Sequence, residues 1–150
     1  MDGISSEMTI TYRIDTRAEL DFELIKTKNY KLLVDMFGEL HITVNGKIIF
    51  HEKEILLLEF AVFLNDWFIA YGKEEVVSFK YWTMDYAENS IINFDLIDSI
   101  SKRWRVNSPW MDIFSDVDNQ SLIDGVEDFI KEFNTEISMK YGLNINDFTI

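Results

Sequence analysis

The sequence predicts an α+β fold in which an antiparallel sheet of about five to seven strands packs against a central apolar helix. Three observations support this class. Several segments alternate apolar and polar residues as half-buried strands do, an Asn45-Gly46 pair separates two of them, and two longer segments are typical of helices. The 150 residues are the usual size of one domain and contain no repeat or flexible linker. We therefore expect a single domain over residues 1–150.

The N-terminal third favours strands. Residues 8–14 alternate apolar and polar side chains, and residues 18–24 do the same, whereas residues 30–37 fit either a strand or a short helix. Residues 40–44 and 47–50 flank Asn45-Gly46. Asn and Gly readily adopt the positive φ that both central positions of a type I′ turn require, so these segments predict a hairpin.

Residues 52–71 predict a helix that is apolar on almost every side. Only Glu52, Glu59 and Asp66 interrupt this character, as a thin polar stripe. A helix of this kind has to be covered on nearly all sides, so we expect it at the centre of the fold.

The second half predicts an antiparallel meander and a final helix. Strands are expected over residues 76–83, 90–97 and 100–106, which are consecutive and close enough to pair through short turns. Pro109 ends this pattern, and an acidic loop over residues 112–119 leads to an amphipathic acidic helix over residues 120–141. Gly142 is a plausible C-terminal stop for that helix.

Composition excludes several classes of protein. The chain is 47% hydrophobic, which argues against intrinsic disorder, and it has no Cys, which excludes disulfides, cysteine-ligated zinc and thiol nucleophiles. No basic segment followed by an apolar run begins the sequence, and Glu59, Asn65 and Asp66 interrupt the longest apolar stretch. We expect a cytoplasmic protein without a membrane span.

The net charge of −13 bears on the choice of partner. A strongly negative protein repels nucleic acid and anionic membranes and attracts cationic proteins. The alternative interpretation is that the charge serves solubility alone. We therefore expect neither a nucleic-acid partner nor a membrane partner.

Motifs of catalysis are absent from the sequence. It has no glycine-rich phosphate loop and no GxSxG motif, and its 27 carboxylates are too many for any pair to indicate a glycosidase-like site. We expect no cofactor and a non-catalytic function.

The two histidines leave two interpretations open. A regular Asn45-Gly46 turn pairs residue 41 with residue 50, which brings His51 close to His41, Glu39 and Glu52. Two histidines and one carboxylate are a ligand set for a metal. However, residues one position out of register point to opposite faces of a strand pair, which favours surface or capping histidines without a metal.

Negative charge is concentrated near the C-terminus. Residues 108–150 contain nine acids and only two basic residues, a net charge of −7. Asp124, Asp128, Glu132 and Glu136 are spaced four apart, so they form a ridge on one side of the predicted helix. The ridge is either an ordinary solvated face or a surface for a basic protein partner, and we favour the second interpretation.

Four further residues are candidates for the same interface. Asp112 and Asp116 lie in the predicted acidic loop, and Trp110 opens it. Trp82 shares a strand face with Lys80, away from the predicted core. Exposed Trp is enriched at interface hot spots, although both Trp residues can also serve as core or stacking residues.

The chain resembles the small acidic immunity proteins encoded beside bacterial polymorphic or contact-dependent toxins. The resemblance is carried by the run from Trp82 to Asn89 between two strands, the Ser108-Pro109-Trp110 break and the acidic helix that follows. It implies a non-catalytic partner that occludes a toxin's active site. Alternative functions are small-molecule binding in a pocket between the central helix and the sheet, metal or hydrolytic chemistry at the histidines, and homo-oligomeric assembly.

Overall fold

The computed structural model describes residues 7–82 and 90–148 and confirms the α+β class. The strands form two antiparallel sheets, so the expectation of one sheet of five to seven strands was wrong. Sheet A has the order β1-β2-β3, with β1 Met8–Ile14, β2 Phe37–Val44 and β3 Lys47–Leu56. Sheet B has the order β4-β5-β6-β7, with β4 Phe79–Tyr81, β5 Ile92–Asp98, β6 Arg103–Ser108 and β7 Ile113–Val117.

Four α-helices accompany the sheets within the described residues. They are α1 Phe22–Thr27, α2 Leu32–Asp35, α3 Leu57–Gly72 and α4 Asn119–Tyr141, and a short 3-10 turn follows at Ile145–Asp147. None of these helices combines the length and the apolar character that crossing a membrane requires. The predicted final helix and its stop are confirmed, since Gly142 caps α4 with a positive φ of 67°.

The predicted hairpin is confirmed and joins β2 to β3. Asn45 and Gly46 have φ values of 53° and 79°, so both adopt the left-handed conformation that the turn needs. The strands on either side pair antiparallel from Val44↔Lys47 to Phe37↔Leu56.

The predicted start of the central helix at Glu52 was wrong. Residues 52–56 continue β3, and α3 begins only at Leu57. Pairing of Gly38 with Ile55 and of Phe37 with Leu56 holds this segment in the sheet. The backbone N–H of Leu57 then donates to the Met36 carbonyl at 3.0 Å, so the helix begins where strand pairing ends.

Two other segments differ from the sequence-based prediction. Residues 18–24 do not form a strand, because Asp21 caps α1 by accepting from the Glu23 backbone N–H. The acidic loop over residues 112–119 instead contains β7, which pairs with β6 from Trp104↔Val117 to Ser108↔Ile113. The predicted meander of β4, β5 and β6 is confirmed, although β4 is shorter than residues 76–83 and residue 83 lies outside the described residues.

The central position of α3 is confirmed. Most of its side chains up to Trp67 are buried, and it contacts both sheets as well as α2 and α4. Rings from β4, β5, β6 and α4 surround it: Phe60 contacts Phe79, Tyr81 and Phe129, while Trp67 contacts Phe79, Phe94 and Trp104.

Helix α4 covers strand β1, and Gly125 is what permits the close approach. A Cβ on Gly125 would lie 2.6 Å from the backbone oxygen of Met8, well inside van der Waals contact. Below this crossing, Tyr12 of β1 packs edge-on against Phe129 and Phe133 of α4 at centroid distances of 5.6 and 5.1 Å. At Gly125, therefore, no side chain of the last helix separates it from the backbone of the first strand.

We predict that Gly125→Ala destabilises the protein. Overpacking of a tight site costs about 1–3 kcal/mol and the higher helix propensity of Ala offsets about 1 kcal/mol, so we expect a net loss of up to about 2 kcal/mol in the free energy of unfolding relative to the parent, and of about 1–3 kcal/mol relative to a helical Gly→Ala change without overpacking. Urea denaturation of both proteins measures this difference. Gly72→Ala is the matched control, since a Cβ at this position of α3 meets no atom within 4 Å. A Gly125→Ala variant as stable as the Gly72→Ala variant would contradict the close crossing.

Candidate functional site

The acidic residues predicted on the last helix do lie along one side of α4. Asp124, Asp128 and Glu132 are exposed, whereas Leu122, Val126 and Phe129 face the core. Among the described residues no cation forms an ion pair with these three carboxylates. Asp124 accepts a hydrogen bond from Gln120 at 2.8 Å. We call Asp124, Asp128 and Glu132 the acidic face.

The acidic face borders a groove whose opposite wall is strand β1. One surface cavity of about 720 Å³ is lined by β1 residues from Met8 to Thr11, by Glu7 and by all three residues of the acidic face. A second cavity, of about 800 Å³, continues past Tyr12 to Met139 and shares Asp128 and Glu132 with the first. The groove thus carries four exposed carboxylates, and the end near Met139, which is 83% exposed, is also lined by Lys131 and Lys140.

Glu136, the fourth predicted member of the ridge, is different because the chain's own groups bind it. Lys140 Nζ lies 2.6 Å from Glu136 Oε2, and the Tyr12 hydroxyl donates to Glu136 Oε1 at 2.7 Å. Partial burial raises the pKa of Glu136, but these two hydrogen bonds outweigh burial and the net pKa is lowered. Glu136 therefore ties α4 to β1 rather than offering a free charge to a partner.

Asp116 is likewise neutralised within the chain. It lies on β7 opposite Arg105 of β6, whose guanidinium donates to both carboxylate oxygens at 2.8 and 3.2 Å. The bond from Arg105 lowers the pKa of Asp116. The same guanidinium lies 4.5 Å from the ring centroid of Phe114, so the group is held on sheet B and not on the acidic face.

The remaining candidates lie outside the groove. Asp112 is exposed in the turn after β6 and lines a smaller cavity with Arg105 and Phe114. Trp110 is 39% exposed and stacks on Phe50 at 6.0 Å. Trp82 is 41% exposed and directly precedes the segment 83–89, which lies outside the described residues. The run from Trp82 to Asn89 that carries the resemblance to immunity proteins is therefore described at Trp82 only.

Sequence reasoning missed the β1 wall of the groove. Glu7, Tyr12 and Met139 were not predicted as site residues, although Met139 follows Glu132 by seven positions and so lies on the same side of α4. Helical spacing alone identifies Met139. Glu7 and Tyr12 join the groove only through the packing of β1 against α4, for which the sequence carries no local signal.

The histidines lie side by side, contrary to the prediction that they point to opposite faces. An irregularity between Ile42↔Phe50 and Thr43↔Ile48 leaves Ile49 as an extra residue in β3, and this shifts the pairing to His41↔His51. The two rings stack with centroids 3.7 Å apart. His51 Nε2 is 2.7 Å from Glu39 Oε2, and Arg13 lies 3.4 Å from the other oxygen of Glu39.

The region suggested for a ligand pocket is occupied by packed rings. If the protein bound a small molecule between the central helix and the sheet, a cavity would be needed near Trp67, Phe79 or Trp104. Instead Trp67 contacts Trp104 at 5.6 Å and Phe79 at 6.0 Å, and its indole N–H donates to the Val77 carbonyl at 2.7 Å. These side chains stabilise the core.

Fold and surface together define an acidic, two-sheet α+β domain with a charged groove between its first strand and last helix. Residues 10–139 match the family described as a domain of unknown function, DUF7878, and since this is most of the chain, the protein belongs to that family. No curated protein matches the sequence. No solved structure matches it either.

We predict that Tyr12→Phe raises the pKa of Glu136 and lowers stability at neutral pH. The substitution removes one hydrogen bond to the carboxylate while keeping the ring, so we expect a loss of about 0.5–1.5 kcal/mol. A carboxylate with a lowered folded-state pKa stabilises the fold above its unfolded pKa, and this contribution is lost as the pH falls through the folded pKa. The difference between the two proteins should therefore shrink in acid.

Carboxyl NMR titration measures the pKa of Glu136, and urea denaturation at about pH 7 and about pH 3 measures the stability difference. Tyr141→Phe is the control. It removes a tyrosine hydroxyl on α4, and this hydroxyl makes no hydrogen bond to Glu136. A pKa of Glu136 that stays the same in Tyr12→Phe would show that the Tyr12 bond does not hold this carboxylate.

Proposed function

We propose that this domain is a non-catalytic protein-binding module whose groove between β1 and α4 receives a basic protein partner. The observation that carries the proposal is the acidic face itself. Asp124, Asp128 and Glu132 are exposed neighbours on one helix, and within residues 7–82 and 90–148 no ion pair balances them.

Electrostatics supports a role for this arrangement beyond solubility. Like charges four residues apart on a helix cost about 0.2–0.5 kcal/mol per contact. Other acids on α4 are relieved by the chain's own lysines: Lys131 lies 3.5 Å from Glu127, and Lys140 binds Glu136. The acidic face is thus the part of α4 where repulsion persists in the isolated protein and where a cationic surface would remove it.

The groove beside the acidic face offers further polar and apolar contacts to a partner. Its β1 wall presents Thr9 and Thr11, whose hydroxyls can bond to a partner, and Met139 supplies an adaptable apolar contact near one end. A basic side chain bound here would bring its aliphatic stem against apolar surface and its charge against a carboxylate.

Within this class, we propose toxin neutralisation as the specific role. The support is the resemblance of the chain to immunity proteins together with the acidic groove, since toxin domains that act on nucleic acid tend to be basic. Binding at the groove would act by occlusion, and it requires no catalytic group in the domain.

The proposal predicts salt-dependent binding that depends on the acidic face. The partner would be captured with the tagged protein from cells that naturally produce it, identified, and purified separately. We expect the variant Asp124→Asn/Asp128→Asn/Glu132→Gln to bind it about 10–100-fold more weakly at about 50 mM salt, because each exposed ion pair contributes up to about 1 kcal/mol. At about 500 mM salt the difference should largely disappear through screening.

The matched control removes the same charge from another part of the surface. Glu19→Gln/Glu74→Gln/Glu75→Gln changes three exposed acids that lie outside α4 and β1 and should leave affinity nearly unchanged. Equal weakening by both triple variants would assign the effect to net charge alone, and an acidic partner would refute the proposal. For the toxin role, the partner must also be toxic when expressed alone and harmless when expressed with this protein.

A further inference from the structure

We propose that Glu39, His41 and His51 form a binding site for a divalent transition metal, with Zn²⁺ as the ion that fits best. The site lies on sheet A and shares no residue with the groove of the proposed function, although His41 pairs with Thr11 of the β1 wall. One oxygen of Glu39 and one nitrogen of each histidine all lie within 4.8 Å of one another.

Strand geometry places the three ligands on the same face. Glu39 and His41 are two residues apart on β2, so their side chains point the same way, while Leu40 and Ile42 between and beside them are buried in the core. His51 lies directly opposite His41 on β3 because of the extra residue at Ile49. Two ligands from one strand and a third from its neighbour therefore converge from a rigid, hydrogen-bonded scaffold.

Binding of the ion requires modest changes in the ligand-atom distances and a reorientation of the two imidazole rings. With zinc–ligand bonds of about 2.0–2.1 Å in a tetrahedral site, ligand atoms lie about 3.3 Å apart. Glu39 Oε2 and His51 Nε2 are now 2.7 Å apart and would open by about 0.6 Å, and since all three ligand atoms lie within 4.8 Å of one another, no pair would close by more than about 1.5 Å. Because an imidazole binds a metal in its ring plane, the rings of His41 and His51, now stacked at 3.7 Å with 18° between their planes, must also turn out of the stack. Rotations about the side-chain bonds of Glu39 and of these two partly exposed histidines supply the change.

The surroundings suit a metal as well. The side chains of Glu39 and His51 are 23% and 34% exposed, so the ligands are partly shielded yet reachable from solution. Arg13 binds the second oxygen of Glu39 and can hold the carboxylate in place, as outer partners of metal ligands commonly do. Arg13 is 81% exposed, so solvent screens its repulsion of a bound cation.

The chemistry of the donors selects the kind of ion. Two imidazoles and one carboxylate favour zinc, copper or nickel over magnesium and calcium, which prefer oxygen ligands alone. Three protein ligands on an open sheet face leave a fourth position for water or for a group from another molecule. His51 Nε2 and Glu39 Oε2 are hydrogen-bonded at 2.7 Å, and coordination of the ion by both atoms would replace this bond.

The test is calorimetric titration of ZnCl₂ into the full chain at neutral pH. We expect one zinc per chain, and binding that weakens as the pH falls because protons compete for the imidazoles. Glu39→Gln, His41→Gln and His51→Gln should each weaken binding at least about tenfold, since even changes to outer partners of a ligand have that effect. Controls are Glu54→Gln on the same strand pair and the triple variant of the acidic face, both of which should bind zinc as the parent does.

A second measurement keeps the test decisive if a variant fails to fold. The chain has only two histidines, so an NMR spectrum of the imidazole nitrogens of the parent protein contains two residues' signals. Joint shifts of both residues, complete at one equivalent of zinc, would support the site. Unshifted histidine signals, or calorimetric binding that persists in a folded His41→Gln/His51→Gln variant, would overturn it, and neither outcome bears on the groove.

Discussion

The rest of the structure depends on the need to cover helix α3 on nearly every side as far as Trp67. Its side chains there are apolar around almost the whole circumference, so leaving a face in water would lose the burial that drives folding, and only beyond Trp67 does an apolar side chain, Ile69, become exposed. Phe60 and Trp67 meet this requirement from two levels of the helix by contacting rings of sheet B and α4. Sheet A closes the remaining side where Gly38 lies against Leu57. The positions of both sheets and of α4 therefore follow from one helix.

Local signals in the sequence predicted the elements that are stabilised locally. The hairpin at Asn45-Gly46 and the stop of α4 at Gly142 rest on backbone conformations that these residues adopt easily, and both were confirmed. The boundary between β3 and α3 could not be predicted, because pairing of Ile55 with Gly38 overrides the helical pattern of its neighbours. Strand β7 was missed because its acidic residues suggested a loop, whereas Arg105 across the ladder neutralises Asp116.

The candidate site was also predictable from the sequence only where local spacing determines it. Helical spacing correctly placed Asp124, Asp128 and Glu132 on one side of α4. It gave no indication that Glu136 is bound by Tyr12, which lies 124 residues away in the sequence. The histidine pair needed the opposite kind of information, since a single extra residue in β3 decides which side chains share a face. Such irregularities depend on how the whole sheet packs, and alternation of residue types does not reveal them.

The crossing of α4 over β1 affects how the protein folds during its synthesis. Synthesis proceeds from the N-terminus, so β1, β2 and β3 leave the ribosome long before the helix that covers Met8 and contacts Tyr12. Until then the apolar face of sheet A lacks part of its cover, and the growing chain is exposed to unwanted association. Completion of this fold, and with it the assembly of the groove, therefore waits until α4 has been synthesised.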